Sequence, residues 1–502
     1  GANNGANNGA NNGANNGAIP PVTGGLTDPD AILPPPARGE LPTVGTAFTE
    51  PTFGTSVTRL TDSERDVEQF TEPELGEGVP LRVVFDFERH PYSQHQAFNA
   101  DETMIVLNAD GYLVRKISDR SIVHQFPGFG AADPADVIDA PRWDPANPEW
   151  LIHFNNAISS PPEVDYDVEP VIIQRTNVVT KEVDTIVDLS QAPYDFYWAG
   201  GGRSRSFEEL SRDGRWLTAF VRKGADLDGP LYFVSYDLQN DTVGLQMQMD
   251  DLDPNNADCE SYEGAINWVA PSPLGKYMII QWNLSGETRC SGVEAYEMTS
   301  GAYMGHVGVT PSHSDLGLDH MGREIYVTNY VAVGDEGAGS GVLTAILLPG
   351  VPELNPVVEG EVNTAAGMTT LLDSIGDFHV THLSCKGPQG LCVITADYDE
   401  FFFDAPGSEP FDNEIYYVKT SGTAVVGDNS NAEVGRLAHH NSTFCVEPDM
   451  NKPFAEQLNY DYEYNYRAQP QASISPTGKY VVFASNWSDC DSGADDYLIT
   501  LR

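Results

Sequence analysis

The stretch SISPTGKYVVFASNW, Ser473 to Trp487, decides the fold. It opens on a turn residue, Ser475, passes through Pro476 and Gly478, and runs into an unbroken apolar segment of strand-forming residues. A serine closes the turn, the glycine accepts a positive φ, and the run after it reads as a strand buried between neighbours. The same spelling recurs toward the N-terminus as AFNADETMIVL from Ala97, RWDPANPEWLIHF from Arg142 and LSRDGRWLTAF from Leu210. It continues as APSPLGKYMIIQW from Ala270, LGLDHMGREIYV from Leu316 and LSCKGPQGLCVI from Leu383. The equivalent turn residues are Asn99, Asp144, Ser211, Ser272, Asp319, Ser384 and Ser475, spaced 45 to 91 residues apart. Each interval holds four short strands and a loop.

One such unit cannot bury both of its faces, whereas a closed ring of units can. The pattern therefore predicts an all-β chain, a single seven-bladed β-propeller of four-stranded blades over residues 54–502. SVTRLTD, Ser56 to Asp62, precedes the first unit, and DYLITLR, Asp496 to Arg502, follows the last. Pairing of these two segments would close the circle and remove the exposed sheet edges.

The units SRDGRW, SPLGKY and SPTGKY resemble the S-P-D-G-K repeat of TolB-type propellers, and the similarity extends over nearly all of Thr55 to Arg502. Five of the seven copies depart from that spelling. The Ala97 copy lacks the glycine, the Arg142 copy has a longer turn, the Leu210 copy has Arg for Pro, and the Leu316 and Leu383 copies are irregular. GRLAHHNST, Gly435 to Thr443, and Gln469 to Trp487 are similar to secreted propellers related to oligogalacturonate lyases.

Ahead of the repeats, residues 1–18 read GANN four times and then GA. With no charge and no apolar side chain larger than alanine, this stem builds no core. Its paired amides, Asn3 and Asn4, Asn7 and Asn8, Asn11 and Asn12, and Asn15 and Asn16, suit hydrogen-bonded ladders or modification. Residues 1–18 read either as a disordered tail or as a fibre-forming or surface-attachment stem that lets the protein self-associate. The Pro-rich segment 19–53 is stiff and short of donors, a spacer or a strap over a neighbouring subunit. The chain starts at Gly1 with neither an initiator Met nor a leader, as a processed or partial chain would.

Charge narrows the partners. Against 27 Lys and Arg stand 74 Asp and Glu, a net charge of -47, which repels a phosphate backbone and argues against nucleic acid. Anionic membrane surfaces are disfavoured likewise, and no apolar run of about 18 residues spans a bilayer. The acidity suits solubility outside the cell, or calcium bound on the acidic loops Asp251 to Glu260 and Asp489 to Asp496, although neither has EF-hand spacing. The cysteines fall as local pairs, Cys259 with Cys290, Cys385 with Cys392, and Cys445 with Cys490. Six cysteines permit fifteen pairings, so connectivity stays open, but an oxidised framework places the chain in an extracellular or cell-surface compartment. Sequons at Asn240, Asn283, Asn441 and Asn486 fit that compartment.

In a propeller the innermost strands face a central channel, so residues just before each turn converge at one mouth. These are Gln94, His95 and Gln96; Arg142; Glu208 and Glu209; Glu263 and Asn267; His313 and Asp315; His379 and His382; and Gln469 and Gln471. Their polarity predicts a ligand-binding funnel for a glycan or a protein. Within it His313, His382 and His439, with His440 beside them, could hold a divalent transition metal. The resemblance to oligogalacturonate lyases implies such a metal in the mouth, where it would bind substrate carboxylates. His313 and Arg142 would then be the catalytic candidates. The alternative is that these histidines bond loops between blades and line a wet channel. Tyr460, Tyr462, Tyr464 and Tyr466 could stack sugars or cover an edge strand. Two expectations follow: a non-enzymatic extracellular propeller displayed through its stem, or a metal-dependent polysaccharide lyase.

Overall fold

A computed structural model describes residues 26–36, 39–63, 88–109, 111–127, 138–155, 170–199, 209–226, 228–252, 265–286, 288–308, 313–330, 340–350, 367–377, 382–396, 410–425, 428–443, 468–489 and 493–501. Apart from a 3-10 turn at Met249–Asp251, its elements are antiparallel strands gathered into seven sheets. Blades two to six are four-stranded and sequential, spanning 138–188, 196–248, 266–308, 314–377 and 382–439. Blade one has three strands, Met104–Ala109, Gly111–Lys116 and Ile122–Pro127, with Phe98 bridging Ile105 on its inner edge.

Blade seven closes the ring. Its sheet runs Ser473–Ile474, Tyr480–Ser485, Asp495–Thr500, then Ser56–Arg59 from the other end of the chain. Ser56 pairs with Thr500 and Arg59 with Tyr497, the closure expected from the terminal sequences. Ala47–Thr49 adds a fifth strand, so the segment expected as a spacer or as a strap over a neighbouring subunit enters its own propeller. Arg59 fixes the seam by donating through Nε (2.9 Å) and Nη2 (2.5 Å) to Asp495 Oδ2.

The core explains why the sheets stand in a ring. The buried apolar residues form seven clusters, and each straddles two adjacent blades. Six join blades one to seven in order, and the seventh unites Leu60, Val482 and Leu498 with Phe98, Ile105 and Leu107, linking blade seven to blade one. Because blades pack on both faces, second strands such as Trp216–Lys223 and Tyr480–Ser485 are buried nearly throughout rather than alternating. Fully burying one large apolar side chain contributes about 2 kcal/mol, so every interface is a substantial bond.

The repeated turn has a physical reason for its spelling. Ser272 Oγ accepts the N–H groups of Lys276 (3.2 Å) and Tyr277 (3.0 Å), and Gly275 takes φ 67°. Ser475 and Gly478, Ser211 and Gly214, and Asp319 and Gly322 repeat the arrangement. The turns also join blades: a Cβ on Gly275 would stand 2.2 Å from Trp216 of blade three. In blade six a disulfide, Cys385 to Cys392, spans the first hairpin. Cys290 is disulfide-bonded too, while Cys259, Cys445, Cys490 and the stem asparagines lie outside the described residues.

Candidate functional site

The site begins where blade one departs from the pattern. Arg89 pairs with Asn108 and Phe98 with Ile105, and Ala97 O accepts the Val106 N–H (3.0 Å), so the inner edge of Met104–Ala109 is covered near both ends while residues 90–96 leave the sheet. Pro91, which carries no N–H to give a ladder, lies at the exit. The root is clamped from blade seven. His90 Nδ1 lies 2.7 Å from Asp496 Oδ1, His90 Nε2 lies 2.7 Å from Gln471 O, and Arg89 donates to Gln471 Oε1 at 2.5 Å.

From that root the loop crosses the axis. The Gln94 amide donates to Ser314 O of blade five, and the Gln96 amide to Ile474 O of blade seven (3.1 Å) and Lys386 O of blade six (3.3 Å). Gln96 N–H donates to Glu209 Oε2 of blade three at 3.1 Å, and Ser473 Oγ donates to His95 O at 3.1 Å. Arg142 of blade two places Nη2 2.8 Å from His95 Nε2. Among the described residues, five blades other than its own hold this loop, which makes it a floor across the channel.

The floor is mostly uncharged. Arginine has no acceptor, so His95 Nε2 supplies the lone pair and its proton sits on Nδ1. Burial, then the Arg142 charge, holds His95 well below the usual imidazole range. His313 and His382 stack with centroids 4.8 Å apart, and Tyr92 meets His382 edge-on at 5.2 Å. His382 is 1% exposed, and neither ring nitrogen has a hydrogen-bond partner among the described residues. Burial, then the neighbouring His313, draws its pKa well down. His313 reaches solvent, but crowding by protein lowers its pKa as well. Burial pushes Asp315 up to about 6 even though Lys386 Nζ lies 2.8 Å away and the N–H groups of Cys385 (2.6 Å) and Leu316 (2.7 Å) bond it.

Of the residues expected at the mouth, the structure brings together Gln94, His95, Gln96, Arg142, Glu209, His313, Asp315 and His382. Asn267 joins indirectly, donating to Gln281, whose amide reaches Ser314 Oγ at 3.2 Å. Gln471 is a buried clamp for the loop rather than a wall residue, and Gln469 keeps a buried Oε1 without a partner among the described residues. Glu208, Glu263, His379 and the four tyrosines of 460–466 lie outside the described residues.

Other expectations are corrected. His439 belongs to Val434–His439, the outermost strand of blade six, where Nδ1 faces Glu50 Oε1 (3.1 Å) and Nε2 faces Leu33 O (3.2 Å). It is part of the strap's attachment, and His440 is taken up by Ala396 O, 3.1 Å away and just past the second strand Leu391–Thr395. Among the described residues no three His, Cys, Asp or Glu side chains are grouped to hold a metal, while Glu208, Glu263 and His379 lie outside them. Asp495 and Asp496, expected on an open acidic loop, are buried, with their carboxylates given to Arg59, Thr61, Ser63 and His90. The sequon residue Asn486 is buried, its amide donating to Thr443 O at 2.9 Å. The segment 26–33 lies on its own propeller: Leu26 bridges Arg436, which donates to Ala31 O and is buried against Glu414.

Sequence reasoning missed Arg89, His90, Tyr92 and Lys386. The signal for the first three was a polar run broken by Pro91 where an inner strand was due; Lys386 carried none beyond being a lone cation in a hairpin.

No protein-family model and no curated protein sequence matches the chain. Solved structures do. An oligogalacturonate lyase in complex with manganese superposes with TM-score 0.51 at 12% identity, over 91% of this chain and 96% of that one. The oligogalacturonate lyase of Vibrio parahaemolyticus gives 0.51 at 11% identity, over 92% and 98%. TolB from Acinetobacter baumannii gives 0.32 at 13% identity, over 68% and 64%. The first two share the seven-bladed fold with this chain across nearly the full length of both partners. Among the described residues no helix is long and apolar enough to cross a membrane.

Proposed function

We propose that the protein is an extracellular, non-enzymatic propeller, displayed through its N-terminal stem, that binds an acidic glycan on the floor of its channel mouth. One observation carries this reading: the loop 90–96 replaces the middle of an inner strand and sets Tyr92, Gln94, His95 and Gln96 beside Arg142, His313 and Lys386. Planar amides, imidazoles and a phenol suit hydroxyl and carboxylate groups of a sugar, and Arg142 and Lys386 bring positive charge beside Glu209 and Asp315. Lys386, paired with Asp315 at 2.8 Å, is the cation assigned to a uronate, which would share it with that carboxyl, since Arg142 serves both His95 and the backbone of Pro141. Titration calorimetry with oligogalacturonate tests it. Saturable binding, weakened at least about tenfold by Lys386→Ala, is expected; no binding at any salt overturns it. Electron microscopy of the full chain beside one lacking residues 1–25 tests display: assembly only with the stem supports it, and identical single particles remove that half of the reading.

A second reading, a metal-dependent uronate lyase, draws on two observations. The manganese-bound neighbour is a lyase of this fold, and His313, neutral and solvent-reaching, is placed to take a proton. A rise in ultraviolet absorbance from unsaturated uronate, abolished by His313→Ala, would replace the first reading with this one.

A further inference from the structure

The root of the channel-floor loop holds more protons than its residues carry when the histidine is neutral. His90 is 1% exposed, and both of its ring nitrogens face oxygen: Nδ1 lies 2.7 Å from Asp496 Oδ1, and Nε2 lies 2.7 Å from Gln471 O. A carboxylate and a carbonyl only accept. A neutral imidazole has a single N–H, so one of these short contacts would set lone pair against lone pair in a buried place. Two bonds need two protons, one more than a neutral ring beside an ionised carboxylate contains. Imidazole is the stronger base of the two and holds it. Asp496 Oδ2 accepts the His90 backbone N–H at 2.8 Å, so both carboxylate oxygens grip the same residue.

The acceptors are themselves fixed by the closure of the ring. Asp496 N–H donates to Thr61 Oγ1 (2.8 Å), and Asp496 O accepts the Leu60 N–H (2.7 Å), both from the segment that follows Ser56–Arg59. Gln471, at φ 45°, turns Oε1 to Arg89 and its carbonyl to His90. The neighbouring charges are matched elsewhere, Asp495 with Arg59 at 2.5 Å and Glu88 with Arg115. Arg89 and His90 act by charge on His382, after burial and His313. We infer that His90 is a positioning residue of the channel mouth, an imidazolium clamped between Asp496 and Gln471, and that, on the reading that loop 90–96 binds an acidic glycan, removing its second ring proton weakens that binding. With the proton gone, one ring nitrogen turns a lone pair on an oxygen and a buried carboxylate loses its counter-charge. Both costs fall on the root of the loop, so base opens the clamp.

The test uses the full chain, first without ligand. Nitrogen NMR of isotope-labelled histidine at about pH 7, with His90→Gln identifying the signals, should show both His90 ring nitrogens protonated. As the pH is raised, hydrogen exchange of residues 90–96, corrected for the intrinsic rise in rate, should quicken at least about tenfold where the second ring proton leaves, while Tyr277–Trp282 does not respond. Asp496→Asn frees the clamp from that proton. Its amide can donate to Nδ1 and its carbonyl can accept the His90 N–H, so a neutral ring protonated on Nε2 satisfies every contact. That variant should show one bare ring nitrogen and corrected exchange that stays level with pH. Over the same rise, oligogalacturonate affinity should fall at least about tenfold in the parent and stay level in Asp496→Asn. A bare ring nitrogen on His90 of the parent at about pH 7, or exchange equally sensitive to pH in Asp496→Asn, overturns the inference. Affinity indifferent to the proton while the loop loosens overturns the role of His90 in the site. Oligogalacturonate that never binds, beside the expected proton and exchange results, removes the glycan reading and leaves the clamp standing.

Discussion

Blade four and blade one are the same unit put to different ends. In blade four Ile266–Pro271 pairs along Tyr277–Trp282, the turn is made by Ser272 and Gly275, and the side chains around it serve the neighbouring blades. In blade one the corresponding inner strand survives only near its two ends, and the chain between them crosses the axis. Its turn also differs, since Glu102 stands at φ 57° where the other turn has glycine, and its carboxylate receives Thr477 of blade seven. Where a hairpin only joins sheets, sterics choose its residues. Where the chain must place side chains at the mouth, ladder bonds are given up, and side-chain bonds to five blades replace them.

Acid should separate the two regions most strongly. His153 of blade two is buried and neutral, with its pKa lowered by burial to about 4, and His124 of blade one is lowered to about 4 as well. A lowered folded pKa gives stability that is present above the unfolded value of 6.5 and lost as pH falls toward 4. For His153 alone that is about 3 kcal/mol. His95, in the cross-channel loop, shifts in the same direction. Asp315 and Asp495, raised to about 6 by burial, act oppositely: their contribution is complete at acidic pH and fades as pH rises through 6. The histidines outnumber them, so net destabilisation is expected on acidification. Hydrogen exchange at about pH 4.5 and 7 should show Trp150–Asn155 and Ile122–Pro127 losing protection before Tyr277–Trp282. Equal loss in all three would mean that the titrating groups do not distinguish the regions.

Gly275→Val attacks the regular side of the comparison. Forcing a branched residue to φ 67° costs about 1–2 kcal/mol, and crowding Trp216 adds about 1–3, so a loss of about 3 kcal/mol is expected in urea unfolding. A loss below about 1 kcal/mol would show that the blade-to-blade seam yields easily.

The contrast also marks what sequence could say. Ser272, Gly275, Ser475 and Gly478 announce their hairpins because one hydroxyl and one positive φ are local demands, met within five residues. The ring and its closure follow, since each strand is too apolar to face water alone. The mouth was legible only as a set of inner-strand positions. His439 was misplaced because a histidine beside a strand end carries no mark of which strand in the sheet it occupies; partners from the strap, Glu50 and Leu33, decide that. Lys386 was unreadable for the same reason, its role depending on Asp315, far away in sequence.

His95→Leu attacks the irregular side. It keeps bulk but withdraws the acceptor that His95 Nε2 offers Arg142, at an expected cost of about 1–2 kcal/mol in thermal or urea unfolding. Oligogalacturonate binding should fall at least about tenfold in the folded variant. Unchanged binding beside that stability loss would make the loop a structural brace only.

Glu102→Gly is the finest probe, because it turns blade one's turn into the spelling of blade four. Relief of the left-handed backbone should return about 1 kcal/mol. Against this stand the bonds from Thr477 N (2.7 Å) and Thr477 Oγ1 (2.9 Å), which tie blade seven to blade one and are worth a similar amount. The single substitution should therefore leave stability within about 1 kcal/mol of the parent, and it cannot by itself tell cancellation from indifference. Thr477→Val separates them. It removes the hydroxyl bond while Glu102 stays strained, so it should destabilise the parent by about 1 kcal/mol yet leave the Glu102→Gly protein unmoved. Additive effects across that cycle would mean that the carboxylate does not hold the seam, leaving the left-handed glutamate without a role in closing the ring.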